Sequence, residues 1–504
     1  MSDDGRTRGV LLVTVDSLRA DALDVMPRVR GLADRGVRFD RAFAHGNWTP
    51  FSFPSILGAD PVFADAPRVG PSRRPTLAES LDRDGVDTAG INAANGFLTA
   101  HWGYDRGFGT YETFMNPSGP VGRFLAAHPT VGGWAQVLGS PLRRAANAVR
   151  GIERHHAVDT SHLLRAEERA LEFLDRETGG LDREGQALDR DGAPDRGEAV
   201  GEAERAGNRA DDPFFLWVHY MDTHTPYVPA PKHVRAVTDG EKGAARMFGA
   251  HLRAGLGRGV SDRTLDALRD LYLGAAHQVD ASVGRLLDAL EARGLREETA
   301  VLVAGDHGEE FMEHGHLAHY PKLYDELIHV PLVADVPEGA SLRVPEAVGL
   351  DLIPPTVADL LGVPGDFDGR SALPVLRGEE PPADEPVVSV AVRGESVTQQ
   401  PIPRRLDDGD LLVSARTDRW TYVLHTATGE RELYDREVDP GEEENVLEVH
   451  EGEGIAPVER LDAAVGERVE RIEAMERRSG SEGDDRRPET PSDIDRQLKA
   501  LGYR

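Results

Sequence analysis

The stretch Thr299-Ala-Val-Leu-Val-Ala304-Gly-Asp306-His307-Gly-Glu309 sets an apolar, β-branched run directly against a carboxylate and an imidazole. A run of that length and composition reads as a buried strand of a parallel sheet. Asp306 and His307 then emerge at the carboxyl end of the strand, where open α/β sheets place their ligands. A carboxylate beside an imidazole on a rigid edge suits half of a metal site. Taken alone, the same residues also read as a tight turn with a helix cap.

Two further runs answer to it. Gly9-Val-Leu-Leu-Val-Thr-Val15 delivers Asp16 at its end, and Phe214-Phe-Leu-Trp-Val218 leads into His219, Asp222 and His224, followed by Pro226 and Tyr227. One strand-end carboxylate is commonly an N-cap. Three buried strands ending in metal-competent or acid/base side chains, two of them with His, are not explained by capping. They predict one shared metal-assisted site.

The chain has 504 residues, enough for one large domain and a smaller one. Lys+Arg 58 against Asp+Glu 88 gives a net charge of −30, which argues against nucleic acid and anionic membranes as partners. The acidic residues are spread along the chain, Lys is rare and Arg supplies most of the positive charge. That is the pattern of a halophilic protein, working in very high salt. The absence of cysteine excludes disulfides, Fe–S clusters, thiolate zinc sites and a Cys nucleophile. Met1-Ser-Asp-Asp-Gly-Arg6 runs straight into the first strand, whose apolar run is too short for an export signal. No apolar stretch reaches about 18 residues, so the expectation is a soluble, cytoplasmic protein without a membrane span.

The spacing predicts a helix over 26–36 (Pro27 in the first turn, Gly36 at the end), a short helix opened by Asn47-Trp48-Thr49-Pro50 and running through Leu57 with Thr49 near its N-terminus, a helix over 75–84, and then a strand at 88–91. Residues 116–156 carry no readable pattern, and 161–174 reads as a helix. Residues 175–212 are rich in Gly and charge with almost no apolar anchor, so they read as a disordered surface insertion. A long helix or broken helix pair is predicted over 262–293, a strand over 330–334, and a helix over 355–361 closed by Gly362. Asp280 and Asp351 read as helix-end residues, and Arg19 as the partner of a carboxylate. Beyond Pro381, short alternating strands at 387–392, 411–416, 420–425 and 431–434, with a turn at Gly429, predict a small antiparallel sheet. Trp420 and Tyr434 fall in its core. A charged amphipathic helix over 458–478, a linker over 479–492 and a short helix over 493–501 complete the chain. The domains are thus 1–380, an α/β catalytic unit; 381–478, a small α+β unit; and 479–504, a flexible tail.

The motifs form an ordered set. Val15-Asp16-Ser17-Leu18-Arg19-Ala20-Asp21 is followed by Trp48-Thr49-Pro50 with Phe53-Pro54-Ser55, then by Met221-Asp222-Thr223-His224-Thr225-Pro226-Tyr227. Gly305-Asp306-His307-Gly308-Glu309 runs on to Glu313-His314-Gly315 and Tyr324-Asp325-Glu326. Gly369-Arg370-Ser371 and Glu432-Leu433-Tyr434-Asp435 with Asp439-Pro440 close the set. In this order the chain resembles the sulfatase family, within the alkaline phosphatase superfamily, apart from the insertion and the tail. The resemblance implies an α/β fold with a central, largely parallel sheet, helices on both faces and a smaller C-terminal antiparallel sheet. It implies a divalent cation (Mn, Zn or Ca), with Asp16, Asp306 and His307 at metal-ligand positions. His224 matches the His that contacts the scissile ester, and His314 a position near the metal pocket. His319 falls roughly where many sulfatases place an active-site Lys. A cation polarises the ester oxygen and lowers the nucleophile's pKa, while neutral His or Lys stabilises developing charge.

The departures from the family pattern redirect the reading. Ser52-Phe53-Pro54-Ser55-Ile56 resembles the Ser form of the formylglycine motif but lacks its Arg. Aligned on Ser55-Ile56-Leu57, Thr49 falls at the nucleophile position and joins the metal ligands. Superfamily members with Thr there are phosphodiesterases, phosphonate hydrolases and phosphoethanolamine- or phosphoglycerol-type transferases. Ser17 replaces a second Asp that sulfatases use as a ligand. His307 stands where many have Asn, which suits Mn²⁺ or Zn²⁺ better than Ca²⁺. Asn95 occupies the region where a Lys-Trp-His motif is absent, and Asp222 is a candidate second-metal ligand. These shifts imply a hydrolase of small anionic esters, phosphate or phosphonate rather than sulfate. Two other readings stand beside it: a transferase to an acceptor hydroxyl, and a non-catalytic relative that keeps the metal. No motif speaks to oligomeric state.

Overall fold

A computed structural model describes residues 7–114, 162–178, 212–225, 227–238, 261–394, 405–450 and 458–482. The readings for 116–156, most of the insertion, the 479–492 linker beyond its first residues and the 493–501 helix lie outside the described residues.

The central sheet contains β1 (Gly9–Val15), β2 (Val37–Phe43), β3 (Asp87–Asn92), β4 (Thr110–Thr113) and β5 (Phe214–Tyr220). It is completed by β6 (Thr299–Gly305), β9 (His329–Asp335) and β10 (Leu342–Gly349). A small hairpin, β7 (Glu310–Phe311) and β8 (Leu317–Ala318), stands apart. The strand order is β10-β2-β9-β6-β1-β5-β3-β4. Only β9 runs antiparallel, pairing that way with both β2 and β6.

Strands β1, β5 and β6 are buried on both faces, as their unbroken apolar runs require. Val10 and Leu12 of β1 enter one core with helices α2 (Thr49–Leu57) and α3 (Leu77–Arg83). Leu11, Val13 and Val15 enter the other, with α1 (Pro27–Arg35), α4 (Leu163–Glu177) and α5 (Asp262–Ala292). Of the segment 262–293, Asp262–Ala292 form one unbroken helix of 31 residues. Asp280 lies in its middle, not at an end. Its carboxylate accepts the N–H groups of Arg28 and Val29, both at 2.9 Å, and so caps the first turn of α1 instead of its own helix.

Strands β11 (Val387–Arg393), β12 (Asp410–Arg416), β13 (Trp420–His425) and β14 (Glu430–Asp435) form the small antiparallel sheet in sequence order. Helix α6 (Val458–Glu482) covers it with Leu461, Val465, Ile472 and Met475. This sheet is tied to the main one by main chain and charge. Val390 N–H donates to His45 O at 2.9 Å, and Ser389 Oγ to Ala44 O at 2.6 Å. Arg416, fully buried, pairs with Asp325 at 3.4 Å and Glu442 at 3.7 Å and donates to Leu323 O. Among the described residues no helix is long and apolar enough to cross a membrane.

Candidate active site

Val15 is in register with Gly305 of β6 and Tyr220 of β5, so the three central strands end level. The ladder continues one step: Asp16 N–H donates to Tyr220 O at 2.8 Å and Asp306 N–H to Val15 O at 3.2 Å. Asp16 and Asp306 therefore leave the sheet side by side. Glycines flank the second acid because the chain must close over it. A Cβ at Gly305 would lie 2.4 Å from Leu18 O, and one at Gly308 2.0 Å from Glu326 O.

Around this pair the side chains converge. Thr49 opens α2, and its Oγ1 lies 3.1 Å from Asp16 Oδ2 and 3.5 Å from His307 Nε2. Asn95 Nδ2 donates to Asp16 Oδ2 at 2.7 Å and to Thr49 Oγ1 at 3.2 Å. Ser17 takes a left-handed backbone (φ 58). Its N–H thereby reaches Asp306 Oδ1 at 3.0 Å, while its hydroxyl donates to Asp16 Oδ1 at 3.0 Å. His307 donates Nδ1–H to Gly308 O at 2.8 Å, which leaves the Nε2 lone pair toward the acids, 3.6 Å from Asp16 Oδ1 and 3.7 Å from Asp306 Oδ2. His219 reaches the same place from β5, with Nε2 3.5 Å from Asp16 Oδ2. Asp16, His219 and Asp306 each offer a ligand atom within 4.8 Å of the others.

The electrostatics ask for a cation. Burial opposes ionisation of Asp16, while positive charge at the places of His224, His219 and His307 holds its carboxyl below the usual range; a bound cation would supply that charge with the rings neutral. Burial and the neighbouring Asp16 charge push Asp306 well up. Oδ2 of Asp306 and Nε2 of His219 are buried and make no hydrogen bond. Two carboxylates and an imidazole, with one orphaned oxygen and one orphaned nitrogen among them, fit a divalent cation, which would satisfy both atoms and let both acids ionise.

His224 and His319 line one side. Their rings lie 5.0 Å apart, and His319 lies 5.3 Å from the ring of His307. Burial lowers the pKa of both; burial and then His307 bring His319 down to about 3, so it is neutral at pH 7. His224 donates Nδ1–H to Thr225 O at 2.6 Å, leaving its neutral ring with a base at Nε2. The Trp48 indole N–H donates to His319 O, tying the residue before Thr49 to the loop that carries His319.

Three residues weighed in the sequence make other contacts. His314 stacks on Tyr324 at 3.8 Å and pairs with Glu326 at 2.6 Å, facing the small sheet through Glu442 O. Asp222 accepts from Gln278 Nε2 at 2.7 Å, on α5. The Ser52 hydroxyl donates to Gly46 O at 3.2 Å and Asp306 O at 2.5 Å, away from the cluster. Conversely, the motifs assign no ligand role to His219 and no contact to Asn95. The signal for His219 was its place as a polar residue inside a fully buried strand.

A family profile described as Sulfatase matches residues 8–363. Uncharacterized sulfatase YidJ of Escherichia coli (strain K12) is 28% identical over 256 residues, which is 48% of this chain and 48% of that protein. The Delta 4,5-hexuronate-2-O-sulfatase of Bacteroides thetaiotaomicron is 30% identical over 175 residues, 33% of this chain and 34% of that one. The chain thus spans about half the length, or less, of the curated relatives it matches. The crystal structure of a phosphonate monoester hydrolase of Agrobacterium radiobacter superposes with a TM-score of 0.62 at 21% identity, covering 93% of this chain and 95% of that chain. With the family profile spanning well over half of its residues, the chain belongs to the sulfatase family.

Proposed function

We propose that this chain is a metal-dependent ester hydrolase with Thr49 as its nucleophile, acting on phosphate or phosphonate esters in preference to sulfate esters. The observation that carries the reading is Thr49 Oγ1 at the start of α2, 3.1 Å from Asp16 Oδ2 and beside His307, while Ser52 turns its hydroxyl to main-chain carbonyls. The family assignment supports ester hydrolysis, and the chain holds no Cys for formylglycine.

Asp16, Asp306 and His307 would hold the cation, which when bound supplies Lewis acidity to the ester oxygen and to the Thr49 hydroxyl. Asn95 and Asp16 fix the direction of that hydroxyl. The N-terminus of α2 favours an anion next to it. In the first step the Thr49 hydroxyl proton passes along its hydrogen bond to Asp16 and on to the ester's organic oxygen, which leaves as the Thr49 oxygen bonds to phosphorus. Water then cleaves the Thr49–phosphorus bond, its proton passing by way of neutral His224 at Nε2 to the departing Thr49 oxygen, which restores the hydroxyl. Neutral His319, uncharged through burial, adds a polar wall without repelling the cation.

The test is a panel of aryl sulfate, phosphate monoester, phosphate diester and phosphonate substrates, in molar salt as the acidic composition directs, with Mn²⁺, Zn²⁺, Ca²⁺ or Mg²⁺ supplied. Turnover of a phosphorus ester that is lost in Thr49→Ala supports the reading. Turnover of aryl sulfate alone, with an intact-mass change at Ser52 matching formylglycine, overturns it.

A further inference from the structure

We infer that His219 is itself a ligand of the cation and replaces the carboxylate that Ser17 does not supply. The inference rests on the cation site of the proposed function and specifies its donor set. Ser17 stands at the step after Asp16, but its hydroxyl is short and is spent on Asp16 Oδ1 at 3.0 Å. The gap is met from the neighbouring strand. Thr14 and His219 are cross-strand partners on β1 and β5, so the imidazole rises beside Asp16.

Three observations make His219 a built ligand and not a core histidine. Its Nε2 is fully buried and makes no hydrogen bond, although a polar atom in such a place is costly unless something binds it. Its other nitrogen is engaged: Nδ1 lies 3.0 Å from Thr14 Oγ1, which already accepts the Trp217 indole N–H at 2.8 Å. We take the tautomer in which Nδ1–H is given to that oxygen, so that Nε2 carries the lone pair, the arrangement that orients metal-binding histidines. The ring is immobilised edge-on against Phe53 of α2, centroids 5.1 Å apart and planes at 89°.

The spacings agree. Atoms that share a cation at about 2.0–2.2 Å lie roughly 3.0–3.6 Å from one another. His219 Nε2 is 3.5 Å from Asp16 Oδ2, and His307 Nε2 is 3.6 Å from Asp16 Oδ1 and 3.7 Å from Asp306 Oδ2. Asp16, His219 and Asp306 form the inner cluster, and with His307 drawn in beside the two acids, two imidazoles and two carboxylates would make a mixed nitrogen–oxygen site. Such a set selects Mn²⁺ or Zn²⁺ over Ca²⁺, which takes oxygen ligands.

The test is metal binding by the purified full chain, read without turnover. Zn²⁺ and Ca²⁺ affinities are measured by calorimetry for the wild type, His219→Gln, Asp306→Asn and the double variant His219→Gln/Ser17→Asp. X-ray absorption of the Zn²⁺-loaded proteins counts imidazole ligands. The expected count is two in the wild type and one in His219→Gln, with Zn²⁺ affinity falling about 10–100-fold or more. In the double variant, Asp restores an oxygen ligand at a left-handed position that Asp tolerates, so Ca²⁺ affinity rises relative to His219→Gln. One imidazole in the wild type, with His219→Gln binding Zn²⁺ unchanged while Asp306→Asn loses it, overturns the role of His219 and leaves the cation site standing. Absence of Zn²⁺, Mn²⁺ and Ca²⁺ binding in the wild type overturns both. If His219→Gln does not fold, the imidazole count of the wild type decides alone.

Discussion

Thr49 Oγ1 and Asp16 Oδ2 lie 3.1 Å apart across 33 residues of sequence, both side chains buried. One arrives at the start of a helix and the other at the end of the central strand. A default N-cap threonine accepts hydrogen bonds from its own helix, worth about 1 kcal/mol. Thr49 is the residue after the N-cap, Trp48, and gives its hydroxyl to a distant carboxylate, while α2 has no side-chain cap. The proposed function makes that hydroxyl the nucleophile.

Thr49→Ala should lower kcat/KM by about 10³-fold or more, whereas Thr49→Ser, which keeps the hydroxyl, should retain much of it. Ser52→Ala should cost stability instead, about 1–3 kcal/mol, because the carbonyls of Gly46 and Asp306 lose their donor. Steady-state kinetics and urea melts on the three variants separate the effects. Equal loss of turnover in Ser52→Ala and Thr49→Ala would contradict the assignment.

Chelation should abolish activity and lower the melting temperature together. A cation at about 1,000 times its Kd contributes roughly 4 kcal/mol to the folded state. Asp306→Asn should remove that dependence, and without metal it should be at least as stable as the chelated wild type, since Asp306 no longer has to ionise beside Asp16. Differential scanning calorimetry with and without chelator reads both effects. A wild-type melt indifferent to chelator would count against the site.

His314 predicts a stability change at alkaline pH. Burial lowers its pKa, but the hydrogen bond and charge of Glu326 outweigh this and raise it to about 9. A group whose pKa is raised on folding contributes fully below its unfolded value, near 6.5, and loses that contribution as the pH climbs through 9. The wild type should therefore lose about 1–3 kcal/mol between pH 6.5 and 9 from this residue. His314→Gln should flatten that part of the profile, as urea midpoints across the range would reveal.

Arg416→Met should cost about 3–5 kcal/mol, because it takes the Arg416 charge from the buried Glu442, while the half-buried Asp325 keeps Arg436 at 3.2 Å. Burial and the Asp325 charge already push Glu442 up to about 7. Adding Glu442→Gln to Arg416→Met should therefore recover part of the loss. Additive costs in the double-mutant cycle would refute the coupling.

Much of this architecture was legible because burial writes itself into composition. Strands β1, β5 and β6 read as strands since both faces are covered, and their ends carried Asp16, His219 and Asp306. Strands β2 and β10 escaped notice for the opposite reason. Arg38, Asp40 and Arg41 interrupt β2, with Asp40 pairing to Arg38 at 3.1 Å and to Arg343 of β10 at 2.9 Å. Strand β10 holds Pro345 and shifts register between Val344 and Ala347. The resemblance alone put His314 near the metal pocket; in the fold it follows β7, pairs with Glu326 at 2.6 Å and lies 3.2 Å from Glu442 O. Asn95 carried no signal, since its contacts come from a turn held by Asn92 at 2.8 Å.

The hydrogen bonds from Ser389 and Val390 to Ala44 and His45 reach the very loop that leads into Thr49. A lesion far along the chain, in β11, would thus present as lost activity although every residue of the cluster is intact. Screens for inactive variants should recover such distal positions alongside the central ones. Melting of the small sheet, followed through Trp420 and Tyr422 fluorescence, should coincide with loss of turnover and not precede it.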